Sequence, residues 1–479
     1  MREDGEAPQR MKKYHTKGVG TSYHAPDLDP TVAAGMKFTQ ICRGGAAVGT
    51  PSRAPVAVTV AKSARKRFAT TIEDSTARRS DALHVTQSQE RPMRPTIITL
   101  ALILGLAGPA AAAAQMGPNI EAAEPFRVGT FEDGGRIFVG IVVRDQLVVE
   151  LNAANAALEV HPDFATMPMP DDMLGLIERY EYGLKYRLYE IVNHLVGNDL
   201  FAAGARPGYI HSVAGIRTLP PILYPGKILN AAVNFYSHIS ESASPEERQE
   251  AIRRRQENQG VPYLFLKPGR GAVIGNGDNI VLPDGRDRID WEVELGTVIG
   301  RPAKYVSATD AESYVFGYMV SIDVSDRGGR PPGGFGGGTD WFVGKGHDTF
   351  APEGPWITPK EFYGDPMELL HQQLTIDGVT MQEARAGDMI HSLWELIEYA
   401  SSIITLYPGD VLNSGTSGGT AATATAERGQ SGYLQAGETI EASIEGLGTL
   451  RMPVVAGPPL PDGLAGSFLP AVRTYRNRR

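Results

Sequence analysis

Residues 290–300 read DWEVELGTVIG and decide the fold of the second half of the chain. Apolar and β-branched residues recur through this run, which predicts a strand. On a strand, residues i and i+2 point to one face, so Glu292 and Glu294 are expected to lie side by side. Neighbouring carboxylates repel each other unless a proton or a cation lies between them, and a hard divalent ion suits such a pair. A solvent-facing acidic strand is the alternative that this motif alone leaves open.

A third acidic residue lies in the apolar run at residues 320–327, VSIDVSDR. Asp323 would be costly to bury there without a partner, so it is a candidate third oxygen ligand. Four residues later, Arg327 offers a planar set of donors for a substrate carboxylate. An ion pair of Arg327 with Asp326 or another local acid is the alternative.

Two further segments carry groups suited to a substrate. Residues 341–350, WFVGKGHDTF, place Lys345 among aromatic residues and glycines. A lysine there can polarise a carbonyl or enolate oxygen beside a metal. Residues 413–419, NSGTSGG, follow a predicted strand, and their hydroxyl and backbone N–H groups can hold a carboxylate. A solvated loop lysine and a plain turn are the respective alternatives.

A histidine and a glutamate follow another strand, in residues 234–241, NFYSHISE. If residues 237–241 form a helical turn, His238 and Glu241 share a face at the spacing i, i+3. A glutamate that orients a histidine makes a general base for water. A surface pair with no catalytic role is the alternative.

Composition places the chain among globular proteins large enough for two or three domains, with 479 residues, 42% hydrophobic and 21% charged. The 55 glycines favour a strand-rich fold over a helical bundle. Cys42 is the one cysteine, which excludes a disulfide framework and a cysteine-ligated metal cluster.

Charge is distributed unevenly. Residues 1–92 hold 15 Lys and Arg against 9 Asp and Glu, a balance of +6. Subtraction from the totals of 46 and 55 leaves 31 against 46, or −15, for residues 93–479. An acidic body repels phosphate backbones, so we expect no nucleic-acid partner.

Residues 93–114 have the layout of a secretory signal peptide: a basic start, an apolar middle and a run of alanines. Such signals stand at the start of a protein, so residues 1–92 are interpreted as a disordered upstream extension from a mis-called start. The segment predicts a periplasmic or secreted protein with no stable membrane span after signal removal. A transmembrane anchor and a basic transit peptide are the alternatives, and the protein would be cytoplasmic if the segment is not a signal.

Residues 120–225 are predicted to form a smaller N-terminal α/β domain. Alternation of apolar and polar residues over 126–151 predicts antiparallel strands. Residues 171–196 carry apolar residues at helical spacing, and Asp171 or Asp172 can cap that helix. Residues 218–225, rich in proline, are interpreted as a linker.

Residues 226–457 are predicted to form the catalytic domain, followed by a C-terminal tail at 458–479. Two helices are expected, near residues 310–316 and 393–406, and the glycine-rich run 328–339 is expected to be a mobile loop. The remaining segments are short and strand-like, at residues 227–234, 263–266, 291–299, 318–324, 374–376, 435–445 and 450–455.

Taken in order, these segments resemble the fumarylacetoacetate hydrolase family over roughly residues 227–457. Each piece is unspecific by itself, but the ordered set is specific. The matching pieces are Asn234, His238 and Glu241, then FLKP at 265–268, DWEVE at 290–294, DVS at 323–325, GKGHDTF at 344–350, GPW at 354–356, PGD at 408–410 and Gly415-Thr416.

The resemblance implies a β-rich α+β fold with a mixed β-roll or β-sandwich catalytic domain, usually homodimeric. It also implies a divalent cation, with Mg²⁺ expected first and Mn²⁺ or Ca²⁺ as alternatives. By position, the implied roles are metal ligation by Glu292, Glu294 and Asp323, catalysis by His238, Glu241 and Lys345, and substrate contact by Arg327 and Thr416.

The implied activity is metal-dependent hydrolysis of a C–C bond in a small 2-oxo or 1,3-dicarbonyl acid, such as an acylpyruvate or a fumarylacetoacetate-like compound. Isomerisation, tautomerisation and decarboxylation of a 2-oxo acid on the same metal site are alternatives. His238 and Glu241 favour hydrolysis because they form a general base. From another class, an exported protein could use the same pocket only to bind an organic acid.

Overall fold

The structure is a computed structural model that describes residues 120–329, 340–421, 423–424 and 432–461. The predicted upstream extension and signal peptide lie outside the described residues, as do residues 330–339 of the predicted loop and residues 462–479 of the predicted tail. No helix in the described part of the chain is long and apolar enough to span a membrane.

Strands dominate the described residues, as the sequence predicted. The helices are α1 (Leu151–Leu158), α2 (Met173–Arg179), α3 (Lys185–Gly197), α4 (Pro245–Glu257), α5 (Trp341–Lys345), α6 (Lys360–Tyr363), α7 (Pro366–Leu369) and α8 (Leu393–Ile403). The strands are β1 (Phe126–Asp133), β2 (Arg136–Val143), β3 (Leu147–Glu150), β4 (Ile210–Ser212), β5 (Arg217–Thr218), β6 (Ile228–Ala231), β7 (Leu264–Lys267), β8 (Val273–Ile274), β9 (Ile280–Leu282), β10 (Ile289–Asp290), β11 (Val293–Ile299), β12 (Val315–Ile322), β13 (Ser325–Asp326), β14 (Ala351–Pro359), β15 (His371–Ile376), β16 (Val379–Arg385), β17 (Val411–Asn413), β18 (Thr439–Ile444) and β19 (Gly448–Ala456).

These strands form mixed sheets, which confirms the predicted β-rich α+β fold. A 12-stranded sheet runs in the order β4-β3-β2-β1-β14-β12-β11-β17-β6-β7, with β5 beside β1 and β8 beside β14. A 5-stranded sheet runs in the order β16-β15-β18-β19-β9, and β10 pairs with β13. Most pairs are antiparallel, whereas β17 with β6, β14 with β8 and β19 with β9 are parallel.

The main core lies between the two larger sheets. Leu295 of β11 and Val320 of β12 pack in one cluster with Leu374 of β15 and Ile440 of β18. Side chains alternate along a strand, so one face of β11 supplies this core. Face-to-face packing of two sheets removes apolar area from water, which is the main force that stabilises such a sandwich.

The opposite face of the long sheet is covered as well. Val298 of β11 and Val411 of β17 pack in a second cluster with Leu176 of α2 and Leu188 of α3. Every residue of β11 is therefore buried. Glu294 lies four residues before Val298 and so faces the same side, inside the protein rather than towards water.

The N-terminal strands behave as predicted. β1, β2 and β3 pair as antiparallel neighbours, and β1 continues the long sheet through its pairing with β14. The division of the described chain into an N-terminal and a catalytic domain stays a prediction.

The helix predicted over residues 171–196 is interrupted, which corrects the sequence analysis. α2 and α3 are separated by a kink at Tyr180–Leu184, where Tyr182 has non-helical backbone angles and Gly183 has φ of 112°. A helical pattern of apolar residues does not reveal such a break, because glycine adopts a positive φ with no steric cost. The predicted cap is confirmed at Asp172, whose side chain accepts from the Gly175 N–H.

Four other predicted boundaries shift. Residues 310–316 form only a 3₁₀ turn, Ala311–Tyr314, and the helix predicted over 393–406 ends at Ile403. Glu292 lies between β10 and β11 rather than within a strand, and Asp323 follows the last residue of β12. The backbone hydrogen bonding between the two segments still continues beyond β11 and β12, since the Asp323 N–H donates to the Glu292 carbonyl at 2.8 Å.

Candidate metal centre

Three buried carboxylates converge where β11 begins and β12 ends. The antiparallel pairing places Val293 opposite Ile322, which brings the residues flanking this pair together. Oxygens of Glu292, Glu294 and Asp323 all lie within 4.8 Å of one another, and the three residues are 4%, 1% and 1% exposed. The convergence predicted from the sequence is therefore present, while metal ligation itself stays a prediction.

The electrostatics of the cluster suit a cation. Burial, together with the nearby charges of Asp323 and Glu292, raises the pKa of Glu294 well above its ordinary value. A hard divalent ion bound between carboxyl groups this close together would relieve their mutual repulsion. One oxygen of Glu294 accepts the Gly415 N–H at 2.9 Å, which orients the carboxyl group.

Lys345 lies directly against the cluster, as predicted. Its ammonium group donates to Glu292 at 2.7 Å, to the Ser325 hydroxyl at 2.6 Å, and to Asp323. Although burial opposes the effect, Asp323 and Glu292 raise the pKa of Lys345 above its ordinary value. A fixed ammonium group therefore lies where a developing negative charge could be stabilised.

Lys267 is a second buried lysine at the cluster, at a position for which the sequence predicted no role. Its ammonium group donates to the Asp323 oxygen that Lys345 does not contact, and to the Val324 carbonyl at 2.8 Å. The side chain is 0% exposed. A lysine at the end of the apolar strand β7 was the available signal, because a lysine is buried there only with a partner.

Arg327 also contacts the cluster, but not through the partner suggested by the sequence. Its guanidinium donates to Asp290 at 2.9 Å and to Glu292. Asp326 instead accepts from Arg286 and lies 3.1 Å from His347. The suggested ion pair between Arg327 and Asp326 is therefore wrong, because the pairing of β10 with β13 turns Asp326 away from its neighbour in sequence.

His238 and Glu241 form the predicted pair. A 3₁₀ turn, Tyr236–His238, leads into it, and Nδ1 of His238 lies in hydrogen-bond contact with Glu241. The other donors to Glu241 include the Gly419 N–H at 2.8 Å and the Thr423 hydroxyl at 3.0 Å. Although burial opposes the effect, His238 and these donors lower the pKa of Glu241. A Glu241 carboxylate that accepts a hydrogen bond from the Nδ1–H of His238 favours the form of the imidazole whose Nε2 carries a free lone pair.

The glycine-rich segment 413–419 binds carboxylates of the protein itself. Its backbone N–H groups at Gly415 and Gly419 donate to Glu294 and Glu241, respectively. Gly415 has φ of 84°, and a Cβ there would lie 2.8 Å from the Ala231 carbonyl oxygen. The predicted binding of a substrate carboxylate by this segment stays a prediction, but its geometry orients two acidic side chains of the site.

Thr416 lies at the cavity, with its hydroxyl already engaged. The hydroxyl donates to the Val293 carbonyl at 2.9 Å and accepts from Gln382 at 2.8 Å. Gln382 is 1% exposed and lies on β16, outside every motif found in the sequence. The contact of Thr416 with substrate stays a prediction.

The carboxylate cluster, Lys345, Arg327 and His238 line one cavity of about 50 Å³. Except for Glu241, every candidate site residue predicted from the sequence lines it. The lining residues are Ala231, Ala232, Val233, His238, Phe265, Glu292, Glu294, Asp323, Arg327, Trp341, Lys345 and Thr416.

Comparison with known proteins bears on the same part of the chain. Residues 227–455 match the family model described as fumarylacetoacetate (FAA) hydrolase C-terminal. The chain is 38% identical over 234 residues to the 2,4-didehydro-3-deoxy-L-rhamnonate hydrolase of Sphingomonas sp. (strain SKA58), covering 49% of this chain and 75% of the relative. It is 34% identical over 240 residues to a mitochondrial oxaloacetate tautomerase of Bos taurus, covering 50% of this chain and 69% of the relative.

Solved structures share the fold. A probable 2-hydroxyhepta-2,4-diene-1,7-dioate isomerase from Mycobacterium abscessus matches with a TM-score of 0.50 at 22% identity, covering 70% of this chain and 100% of that structure. The two sequence relatives share more than 30% identity with this chain over more than two thirds of their own lengths. The chain belongs to the fumarylacetoacetate hydrolase family.

Proposed function

We propose that the protein is a metal-dependent hydrolase that cleaves a C–C bond in a small acylpyruvate-like 2-oxo acid. The observation that carries the proposal is the meeting of three kinds of groups at one cavity. These are the buried carboxylates of Glu292, Glu294 and Asp323, the ammonium group of Lys345, and His238 held by Glu241. The relative from Sphingomonas, a hydrolase by name, supports the same class of reaction.

The carboxylates would hold a divalent ion, with Mg²⁺ expected first and Mn²⁺ as an alternative. When bound, that ion would supply Lewis-acid chemistry to the carboxylate and keto oxygens of a 2-oxo acid. The substrate carboxylate would also face Arg327, whose guanidinium lines the cavity and is 33% exposed.

His238 and Glu241 would activate water. Nε2 of His238 takes a proton from a water molecule while Glu241 holds the imidazole through Nδ1. The resulting hydroxide attacks the acyl carbonyl carbon, and the C–C bond to the pyruvate part breaks. The bonding electrons move to the pyruvate fragment as an enolate, which takes up a proton to give pyruvate, while the acyl fragment leaves as a carboxylic acid. The ammonium group of Lys345 stabilises the enolate oxygen.

Tautomerisation of a 2-oxo acid is the second candidate, favoured by the resemblance to a protein named oxaloacetate tautomerase. It requires proton transfer at carbon but no attack by water. Purified protein should therefore be tested with acylpyruvates and with 2-oxo acids in the presence of Mg²⁺ or Mn²⁺. Formation of pyruvate and a carboxylic acid supports hydrolysis, whereas keto–enol interconversion without cleavage supports tautomerisation.

Variants sharpen this test. Hydrolysis should be lost in both Glu294→Ala and His238→Ala. Tautomerisation that survives in His238→Ala, with no cleavage in the unsubstituted protein, would overturn the hydrolase proposal. Binding of a 2-oxo acid without turnover would favour an organic-acid-binding protein.

Export directed by residues 93–114 and assembly into a homodimer are separate proposals. N-terminal sequencing of the purified protein tests the first. Light scattering of the purified protein in solution tests the second.

A further inference from the structure

An aromatic stack leads away from the carboxylate cluster. The ammonium group of Lys345, which contacts Glu292, lies 4.8 Å from the ring centroid of Phe265. Trp341 stacks on Phe265 with centroids 4.6 Å apart and an interplanar angle of 18°. Tyr263 packs its edge against Trp341 and is 55% exposed. The stack therefore begins beside the proposed metal ligands and reaches the protein surface.

Aliphatic residues supply further apolar lining. Ala231, Ala232 and Val233 line the same cavity as Phe265 and Trp341, and Val233 is 47% exposed. A substrate held by its 2-oxo acid end at the carboxylate cluster would extend its distal end along this apolar surface.

The Lys and Arg side chains at the cavity lie beside the carboxylate cluster, which is called its inner end here. Among the described lining residues, the Lys and Arg side chains are Lys345 and Arg327. Each already contacts two carboxylates, with Glu292 as the carboxylate that they share. They can receive one substrate carboxylate next to a divalent ion. A second carboxylate at the distal end would instead lie against aromatic rings. Apart from Lys345 and Arg327, no Lys or Arg is found among the described lining residues to offset its loss of water.

We infer, on the basis of the proposed function, that the site selects 2-oxo acids with one carboxylate and a short apolar distal group, and that it discriminates against 2-oxo dicarboxylic acids. Trp341 is the specificity-determining residue, because it covers Phe265 and forms the outer part of the apolar surface. This selectivity would set the chain apart from a relative that acts on oxaloacetate, which is a dicarboxylate.

Two ligands with the same carbon skeleton test this inference. 2-Oxopentanoate and 2-oxoglutarate both have five carbons and differ only in a terminal methyl group against a terminal carboxylate. Their dissociation constants should be measured by calorimetry on the full chain loaded with Mn²⁺. We expect 2-oxopentanoate to bind at least about tenfold more tightly, since burying an unpaired carboxylate is costly. Equal affinities, or tighter binding of 2-oxoglutarate, would overturn the inference.

A pair of variants in the same short helix controls for general charge effects. Trp341→Arg places a cation in the apolar surface and is expected to reduce the preference for 2-oxopentanoate by about tenfold or more. Phe342→Arg adds the same charge one residue away, at a side chain that is 81% exposed and does not line the cavity. We expect Phe342→Arg to leave the ratio of the two dissociation constants unchanged. An equal change in both variants would show that net charge, rather than the apolar surface, sets the preference.

If thermal unfolding shows that Trp341→Arg does not fold, Trp341→Ala replaces it as the test variant. It should weaken binding of 2-oxopentanoate several-fold while binding of pyruvate, which lacks the distal group, stays the same. Equal weakening for both ligands would contradict a specific role for Trp341.

If neither 2-oxopentanoate nor 2-oxoglutarate binds, the proposed function itself fails. If both bind and 2-oxoglutarate is preferred, only the present inference fails.

Discussion

Glu294 and Asp323 belong to different segments of the chain, yet their carboxylate oxygens lie within 4.8 Å of each other and both residues are 1% exposed. No lysine or arginine contact to Glu294 is present among the described hydrogen bonds, whereas Asp323 contacts both Lys267 and Lys345. Asp323 thus has cationic partners that Glu294 lacks among the described contacts. Burial and the charges of Asp323 and Glu292 raise the pKa of Glu294 well above its ordinary value.

Glu294→Gln should separate metal binding from stability. Glutamine has nearly the same shape as glutamate, and its amide oxygen can still accept the Gly415 N–H, so the thermal midpoint of the metal-free protein should change little. The affinity for Mn²⁺, measured by calorimetry, should fall by about 100-fold or more, and the rise in thermal midpoint on adding Mn²⁺ should vanish. Glu312→Gln, at an exposed side chain, serves as the matched control. Undiminished Mn²⁺ binding in Glu294→Gln would contradict the proposed ligand set.

Glu353 on β14 makes stability depend on pH. It lies opposite Ser321, is 0% exposed, and neither of its carboxylate oxygens has a hydrogen-bond partner among the described residues. Burial raises the pKa of Glu353 to about 8, although Lys267 opposes the shift. The folded protein therefore holds a proton that the unfolded chain releases near pH 4.5, so the contribution of Glu353 to stability falls as pH rises from there to about 8.

The slope of this loss is at most about 1.4 kcal/mol per pH unit for one proton. Glu353→Gln should remove this loss of stability, so that the variant gains stability relative to the unsubstituted protein as pH rises from 5 to 8. Urea unfolding of the metal-free protein at several pH values measures the effect, with Glu312→Gln as the exposed control. Parallel stability curves for Glu353→Gln and the unsubstituted protein would show that Glu353 does not carry the effect.

Gly415→Ala should damage both the fold and the site. A Cβ at this position would lie 2.8 Å from the Ala231 carbonyl oxygen, and φ of 84° is strained for alanine. We expect the free energy of unfolding to fall by about 2–4 kcal/mol and metal affinity to fall as the N–H that orients Glu294 moves. Gly437→Ala is the matched control, because Gly437 has φ of 100° but nothing within 4 Å of its Cβ position. Equal losses of stability in the two variants would mean that the contact with Ala231 adds nothing beyond backbone strain.

Glu241→Gln tests the general base. The amide can either accept from or donate to Nδ1, whereas a carboxylate only accepts, so the imidazole is no longer held in the form that presents a free Nε2 lone pair. We expect kcat for C–C hydrolysis to fall by about 10²–10⁴-fold with little change in KM. Glu257→Gln, at an exposed residue at the end of α4, should leave both constants unchanged. A rise in KM with no change in kcat would argue that Glu241 acts in binding rather than in water activation.

The candidate site could be predicted from sequence to the extent that local spacing controls it. The acidic positions, Lys345 and the pair of His238 with Glu241 were identified because each lies in a short segment with a readable pattern. Lys267 was missed, since its partner Asp323 is 56 residues away. The acidic partners of Arg327 were not identified for the same reason. Asp290 is 37 residues away, and sheet pairing, not proximity in sequence, brings the two together.

By itself, the sequence determined the strand-rich class, the residue types of a divalent-metal site and the family resemblance, because side-chain alternation and motif spacing are local properties of the chain. Only the tertiary structure decided which charges pair, which carboxyl groups have a raised pKa and where the aromatic stack runs. Those features depend on burial and on contacts across β-strands that are distant in sequence. In the low dielectric of the interior, each neighbouring charge has a strong effect on the pKa and the pairing of a buried group.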